Sequence, residues 1–288
     1  MTKISIKHIS RYRYHTKVRL WDHLFRLTPR HGPSWTIEQS TITCEPSAAM
    51  HQIEDSSGNL VTYGKFAGAQ SDFLEVTSEL SLVRSATMYP IFQIARSAAN
   101  YPFQYSTADS IHLQGFLAQS EFGPSMGAWL AQFMAPPPMD TLSLLRAINR
   151  QINQEITYQP RWTEGVYDWE TTLNLKAATC RDMATLFACA ARALGFAVRL
   201  TTGYLLNIDD NLVGDEGNTA LHAWAEVYVP GAGWIAFDPT NDIMGDYLLV
   251  PLASAADLSE TGAIEGQFGS DDFVDTVPWV NIEISAEN

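Results

Sequence analysis

The chain has 288 residues, of which 46% are hydrophobic and 11% aromatic, so it can bury a substantial core, and global disorder is excluded. Its formal net charge of −14 at pH 7 argues against nucleic acid and anionic membrane surfaces as partners, because both require basic patches.

The N-terminal stretch MTKISIKHISRYRYH alternates polar and apolar residues and lacks the apolar segment of a signal peptide. No run approaches the roughly 18 apolar residues that would predict a membrane span. The cysteines Cys44, Cys180 and Cys189 are too few for a disulfide framework. These features favour a cytoplasmic location and leave the oligomeric state open.

Residues 3–82 alternate with period two between turn-forming segments, which predicts an antiparallel sandwich-like or barrel-like unit. Cys44 lies in one of these strands and is expected to be a small core residue. The scattered histidines lack the spacing of metal ligands, so no metal site is predicted. We expect a β-rich N-terminal domain over residues 1–95 and a second domain, the core, over residues 96–288.

The pattern then becomes helical. A short helix in GPSMGAWLAQFMAPPP is ended by three prolines. Four apolar residues further along fall at helical spacing, namely Leu142, Leu145, Ile148 and Ile152. They predict a longer helix with Asp140 as its N-cap. The segment from residue 159 to 172, QPRWTEGVYDWETT, is predicted to be a loop.

A helix is predicted over residues 180–194, with Thr179 as its N-cap and Gly195 as its stop. Cys180 therefore lies in the first turn, where unpaired backbone N–H groups and the helix dipole favour an anion and make a thiolate nucleophile more available. Cys189 lies about half a turn away around the same helix, so we expect it to pack rather than react.

The segment after this helix predicts a hairpin, with a strand over 221–229, a PGAG turn and a return strand that ends at Asp238. His222 and Asp238 share one sheet face only if the hairpin loop has an odd number of residues. Gly231 and Gly233 suit a three-residue loop. In that register the two side chains lie opposite or diagonal to each other, within reach.

Cys180, His222 and Asp238 then form a chemical unit. Cys180 would attack a carbonyl carbon, His222 would take its proton and later protonate the leaving amine, and Asp238 would orient the imidazole. Each residue alone has a structural explanation, because most single cysteines are inert, a strand histidine is usually structural, and an aspartate before proline usually forms a turn.

The motifs around Cys180, His222 and Asp238, taken together, favour a joint chemical role over three separate structural roles. CRDMATLFACAARALGFAVRLTTGYLL followed by HAWAEVYVPGAGWIAFDPTND closely resembles the transglutaminase-like superfamily of papain-like cysteine enzymes. The shared pattern is a helix-starting Cys-Arg/Gln-Asp, an Arg-x-Leu-Gly run that ends in Gly-Tyr, and then His-Ala-Trp, Gly-Trp and Asp-Pro-Thr-Asn. RYRYHTKVRLWDHLFRLTPR also resembles the β-rich region that precedes this core in bacterial members.

The resemblance implies an α+β fold, in which an antiparallel β domain precedes a papain-like core whose cysteine-bearing helix packs on an antiparallel sheet. It places the nucleophile on Cys180, the base on His222 and the orienting acid on Asp238. The sequence departs from the pattern at Ala178, where the family usually has glycine, and this change removes no catalytic group.

The backbone N–H of Cys180 is the first predicted oxyanion donor, because it lies at the helix start. The indole N–H of Trp162 or Trp169 is the candidate for a second oxyanion donor. The alternative is that these tryptophans pack or line the cleft. Asp182 is expected to cap or pair locally. The acidic loop NIDDNLVGDEGN lacks the spacing of calcium ligands, and no cofactor is required.

The predicted function is cysteine-dependent hydrolysis of an amide bond in a peptide or protein substrate, because bacterial relatives are mostly regarded as proteases. Transamidation, in which an amine replaces water, uses the same three residues. A non-enzymatic binding module on the same fold is the third alternative, and the complete Cys-His-Asp set argues against it.

Overall fold

The computed structural model describes residues 2–32, 34–85, 90–117, 124–134, 139–161, 163, 165–207, 212–213, 221–270 and 276–287. The strands in chain order are β1 (Thr2–Phe25), β2 (Trp35–Glu45), β3 (Ala49–Glu54), β4 (Leu60–Lys65), β5 (Gln70–Arg84), β6 (Asn100–Tyr101), β7 (Met139–Asp140), β8 (Thr157–Tyr158), β9 (Ala177–Ala178), β10 (Val198–Leu205), β11 (His222–Val229), β12 (Gly233–Asp238), β13 (Ile243–Met244), β14 (Leu249–Ala255), β15 (Ile264–Gly269) and β16 (Thr276–Glu287). The α-helices are α1 (Thr107–His112), α2 (Pro124–Leu130), α3 (Thr141–Glu155), α4 (Trp169–Leu175) and α5 (Cys180–Ala193).

The first sheet is built around the long strand β1. Its path runs β2-β5-β1-β4-β3, and β15 and β16 also pair with β1. The first part of β1 pairs with β5 and β16, and the later part pairs with β4 and β15. All these pairings are antiparallel, so one continuous strand joins the two halves of a curled sheet. The predicted β-rich N-terminal region is confirmed.

The last two strands correct the predicted division of the chain. Residues 264–287 fall within the core expected over residues 96–288, but β15 and β16 lie in the first sheet. Ile6 pairs with Ile284 across the β1–β16 ladder, and Ile282 is buried in the core of this sheet. The physical reason is that the alternating C-terminal segment satisfies the backbone groups along β1 and adds apolar side chains to its core.

The second sheet has the order β13-β12-β11-β10-β14, with antiparallel neighbours throughout. Its apolar residues on one side form a core with α2, α3 and α5. Tyr204, Val250 and Leu252 instead belong to the core of the first sheet. The second sheet therefore lies between the first sheet and the helices, and the α+β class predicted from the sequence is confirmed.

Side-chain caps mark the starts of α3 and α4. Asp140 caps α3 by accepting a hydrogen bond from the Ser143 N–H at 2.7 Å. Residues 169–172 were predicted to be loop, but they begin α4, because Asp168 caps the Thr171 N–H at 2.7 Å. The longest described helix has 15 residues, and none in the described part of the chain has the length and apolar character required to cross a bilayer.

Polar side chains connect the two sheets. The Asn59 amide donates to the Ser254 carbonyl at 3.1 Å and accepts from the Ser254 N–H at 2.8 Å. Arg30 donates to the Ser254 hydroxyl at 2.7 Å. The two Asn59 bonds satisfy buried backbone groups of β14, and the Arg30 bond satisfies the Ser254 hydroxyl.

His8 makes a second polar connection between the sheets. Its Nδ1 lies 3.0 Å from the Tyr204 hydroxyl of β10, and its Nε2 lies 2.9 Å from the Ser10 hydroxyl. The side chain is buried, and burial lowers the pKa of His8 to about 4. The folded protein therefore holds this imidazole neutral over most of the acidic range.

The lowered pKa of His8 predicts that acid reduces the stability of the folded protein. Because the folded-state pKa of about 4 lies below the ordinary value of 6.5, the unfolded chain binds the proton first. The free energy of unfolding should therefore fall as the pH drops from 6.5 towards 4, by a total of about 3 kcal/mol from this group. Urea unfolding at pH 7 and pH 4.5 measures the effect.

His8→Gln should reduce the loss of stability between these two pH values by about 2 kcal/mol. The exposed His15 offers the matched control, and His15→Gln should leave the pH dependence as in the unsubstituted protein. An identical pH dependence in His8→Gln and His15→Gln would contradict the assignment.

Candidate active site

Cys180 is the first residue of α5, as the sequence predicts. Thr179 is the N-cap, and its side chain accepts a hydrogen bond from the Asp182 N–H. The Asp182 side chain in turn accepts from the Thr179 N–H, which completes a capping box. Cys180 is 6% exposed and belongs to the first helical turn, whose N–H groups lack intrahelical acceptors.

Asp182 joins the start of α5 to the preceding loop. Its fully buried carboxylate accepts two hydrogen bonds from the Arg161 guanidinium, at 2.7 and 3.0 Å, and one from the Tyr167 N–H at 2.7 Å. Burial alone would raise the pKa of Asp182, but the hydrogen bonds from Arg161, Thr179 and Tyr167 lower it. The expectation that Asp182 caps or pairs locally is confirmed by the capping box, whereas its ion pair with Arg161 joins residues 21 positions apart.

Arg181 holds the same loop from the other side. Its guanidinium donates to the Arg161 carbonyl at 3.1 Å and to the Thr163 carbonyl at 3.2 Å. The Arg161 guanidinium also stacks over the Tyr167 ring, 3.8 Å from its centroid. The two charged residues that follow Cys180 therefore fix the loop that approaches the nucleophile.

The hairpin that carries His222 has the predicted register. Val229 pairs with Gly233, which leaves a three-residue loop. Gly231 and Gly233 have φ angles of +89° and +77°, in the left-handed region that glycine enters without steric cost. The odd loop places His222 and Asp238 on the same face, two positions apart across the ladder.

His222 and Asp238 form a buried pair. His222 Nε2 lies 2.9 Å from Asp238 Oδ2, and both side chains are fully enclosed. Burial alone would lower the pKa of His222, but the charge and hydrogen bond of Asp238, followed by those of Cys180, raise it well above the ordinary value. Burial would raise the pKa of Asp238, but the charge and hydrogen bond of His222 lower it. The pair therefore favours imidazolium beside carboxylate.

The second ring nitrogen of His222, Nδ1, is not engaged by Asp238. Nδ1 is buried and has no hydrogen-bond partner of standard geometry among the residues described. Cys180 is the other titratable side chain that acts on this imidazole. The structure therefore brings the three predicted residues together at the meeting point of α5, β11 and β12.

Of the two tryptophans considered as oxyanion donors, the structure describes the position of Trp169. Trp169 lies at the start of α4 and packs against the apolar core of the helical layer, so the packing alternative describes its position. Trp162 lies outside the described residues. The Cys180 N–H stays the predicted oxyanion donor.

Sequence reasoning missed the asparagines that hold the turn after Asp238. The Asn149 amide donates to the Asp238 carbonyl at 3.3 Å, and the Asn153 amide donates to the Thr240 carbonyl at 2.8 Å. Asn241 contacts the Asp238 carboxylate itself, at 2.9 Å. The available signal was the spacing of Asn149 and Asn153, which places both on one face of α3.

The other cysteines lie in less reactive surroundings. Cys44 packs against the core of the first sheet and Cys189 against the helical core. Burial raises the pKa of Cys44 to about 12 and that of Cys189 to about 11. Across the part of the chain that the structure describes, no group of three or more His, Cys, Asp or Glu side chains is placed to hold a metal ion.

Comparisons with known proteins concern the family and the fold. The model of the transglutaminase-like superfamily matches residues 128–239, and that of the bacterial transglutaminase-like N-terminal region matches residues 4–82. An uncharacterized protein of Mycobacterium tuberculosis is 25% identical over 278 residues, which cover 91% of this chain and 86% of the relative. An uncharacterized protein of Mycobacterium leprae is 22% identical over 272 residues, which cover 92% and 93% of the two chains.

A solved structure from Cytophaga hutchinsonii, described as "a Putative Cysteine Protease", superimposes with a TM-score of 0.69. It is 17% identical and covers 98% of both chains. At this identity the likeness establishes the fold over nearly the whole chain.

The site predicts selective alkylation of Cys180. The pKa of Cys189, about 11, lies two units above the ordinary 9.0, so its thiolate fraction at pH 7 is about 100-fold below that of an ordinary thiol. Iodoacetamide at pH 7 should therefore label Cys180 at least about 100-fold faster than Cys44 or Cys189, as followed by peptide mass spectrometry. His222→Ala should slow the labelling of Cys180 itself, and Cys189→Ser should leave that rate unchanged. Equally slow labelling of all three cysteines would contradict the prediction that Cys180 is the nucleophile.

Proposed function

Because the chain belongs to the transglutaminase-like superfamily, we propose that it is a cysteine-dependent hydrolase of amide bonds in peptide or protein substrates. The observation that carries the proposal is the buried hydrogen bond between His222 Nε2 and Asp238 Oδ2, which leaves Nδ1 available to Cys180. The positions of these three groups suit a nucleophile, a base and an orienting acid.

The first half of the reaction forms an acyl-enzyme. The Cys180 thiolate attacks the carbonyl carbon of the substrate, a C–S bond forms, and the carbonyl π electrons move to oxygen. The tetrahedral oxyanion then collapses as the C–N bond breaks, and the leaving nitrogen takes the proton from His222 Nδ1. The amine product departs and a thioester stays on Cys180.

The second half regenerates the enzyme. Neutral His222 takes a proton from water through Nδ1, and the water oxygen attacks the thioester carbon. Collapse of this second tetrahedral oxyanion breaks the C–S bond, releases the carboxylic acid and restores the thiolate beside imidazolium. Asp238 stays ionised throughout and fixes the tautomer of the neutral ring, with its proton on Nε2.

The start of α5 would stabilise the oxyanion of both steps. The Cys180 N–H belongs to the first helical turn, whose N–H groups lack intrahelical acceptors and point towards negative charge. Asp182 supports this function indirectly, because its capping of Thr179 fixes the first turn. The same acyl-enzyme could pass its acyl group to an amine instead of water, so transamidation is the alternative outcome.

Two assays together test the proposal. The first exposes the protein to a mixed peptide library and measures new amino termini by mass spectrometry. The second adds a fluorescent primary amine and measures its incorporation at glutamine side chains. We expect hydrolysis to dominate, and Cys180→Ser or His222→Ala to lower it by at least about 1000-fold.

Cys189→Ser is the matched control and should retain full activity, because Cys189 packs away from the site. Amine incorporation in excess of hydrolysis would make the protein a transferase. Undiminished cleavage by Cys180→Ser, or the absence of both activities from the unsubstituted protein, would contradict the proposal.

A further inference from the structure

The side-chain amide of Asn241 makes two hydrogen bonds to the backbone of one residue, Val213. Its Oδ1 accepts from the Val213 N–H at 2.9 Å, and its Nδ2 donates to the Val213 carbonyl at 3.0 Å. This pairing fixes the orientation of the amide, because a flipped amide would oppose donor to donor and acceptor to acceptor. The amide nitrogen is therefore held on the side of the turn where the Asp238 carboxylate lies.

The same nitrogen also donates to Asp238 Oδ2 at 2.9 Å. That oxygen is the one that His222 Nε2 contacts, also at 2.9 Å. The other carboxylate oxygen, Oδ1, accepts from the Thr240 N–H at 2.9 Å. Two donors of fixed position, one on each oxygen, thus determine the plane of the carboxylate, and the imidazole meets an acceptor that is already oriented.

We propose that Asn241 is a positioning residue, which uses the backbone of Val213 as its support and fixes the Asp238 carboxylate so that Oδ2 faces His222. The inference rests on the proposed function and adds a fourth side chain to the three predicted residues. Asn241 touches neither the reacting sulfur nor the substrate carbonyl in this scheme, and it acts on the reaction through Asp238.

The charged surroundings of Asp238 make this effect measurable. The titratable group that faces its carboxylate from the neighbouring strand is His222, with Cys180 of α5 beyond it. Asp242 comes from the same turn, but it is paired with Arg150 of α3 at 3.0 Å. A disturbance of the Asp238 carboxylate should therefore be transmitted to the imidazole and from there to the thiolate.

The chain offers a matched control for the backbone contact. Asn207 binds the backbone of Leu212 in the same paired way, with its amide donating to the carbonyl at 3.0 Å and accepting from the N–H at 2.9 Å. Leu212 is the residue before Val213. Asn207→Ala therefore removes a similar pair of backbone hydrogen bonds from the same segment, while the hydrogen bond from Asn241 to the Asp238 carboxylate is kept.

The test measures the alkylation rate of Cys180 by iodoacetamide from pH 5 to pH 10 in Asn241→Ala, Asn241→Leu, Asn207→Ala and the unsubstituted protein. Asn241→Leu keeps the approximate size of the side chain, and circular dichroism at each pH reports folding. Without the Asn241 donor, a less well-oriented carboxylate supports imidazolium less, so less thiolate forms at neutral pH. Both Asn241 variants should label about tenfold more slowly at pH 7, the effect of one hydrogen bond to a charged group.

Asn207→Ala should follow the unsubstituted protein at every pH. Equal rates in the Asn241 variants and the unsubstituted protein, or an equal slowing in Asn207→Ala, would overturn the role of Asn241. A separate result, in which unsubstituted Cys180 labels no faster than Cys189, would overturn the proposed nucleophile and this inference with it.

Discussion

The buried pair of His222 and Asp238 is the interaction on which the site depends. Both side chains lie on neighbouring strands of one hairpin and are enclosed by protein. Removing two charges from water costs several kcal/mol for each ion, so the pair persists only because its geometry is good and the remaining carboxylate positions are hydrogen-bonded. The result is an imidazole with one nitrogen fixed by a carboxylate and the other without a hydrogen bond of standard geometry to any described residue. The odd hairpin loop is the backbone feature that makes this pairing sterically possible.

A second buried carboxylate organises the part of the site around Cys180. Asp182 caps α5 through Thr179 and binds Arg161 and Tyr167 of the preceding loop. Local helix formation and loop placement are thereby coupled, since one side chain serves both. The helix start and the loop beside it are therefore joined through one carboxylate, and in the proposed reaction they would hold a substrate carbonyl near the N–H groups of the first turn.

The local parts of this arrangement could be predicted from the sequence, because their signals are local. The N-cap at Thr179, the helix from Cys180 and the odd loop with Gly231 follow from capping, periodicity and turn chemistry. The joining of 264–287 to the first sheet could not be predicted, because an alternating strand does not specify its partner. The role of Asn241 was also missed, since it depends on Val213, which is 28 residues away in the chain and reaches the turn only in the folded protein.

The most direct test of the central claim is an NMR titration of the His222 imidazole, assigned by comparison with His222→Gln. The account predicts that this ring stays protonated as the pH rises through 6.5, because its pKa is raised well above that value. In Asp238→Asn the midpoint should move to lower pH, since burial then acts without the opposing carboxylate. Titration of His222 at or below pH 6.5 in the unsubstituted protein, or an unchanged midpoint in Asp238→Asn, would contradict the account.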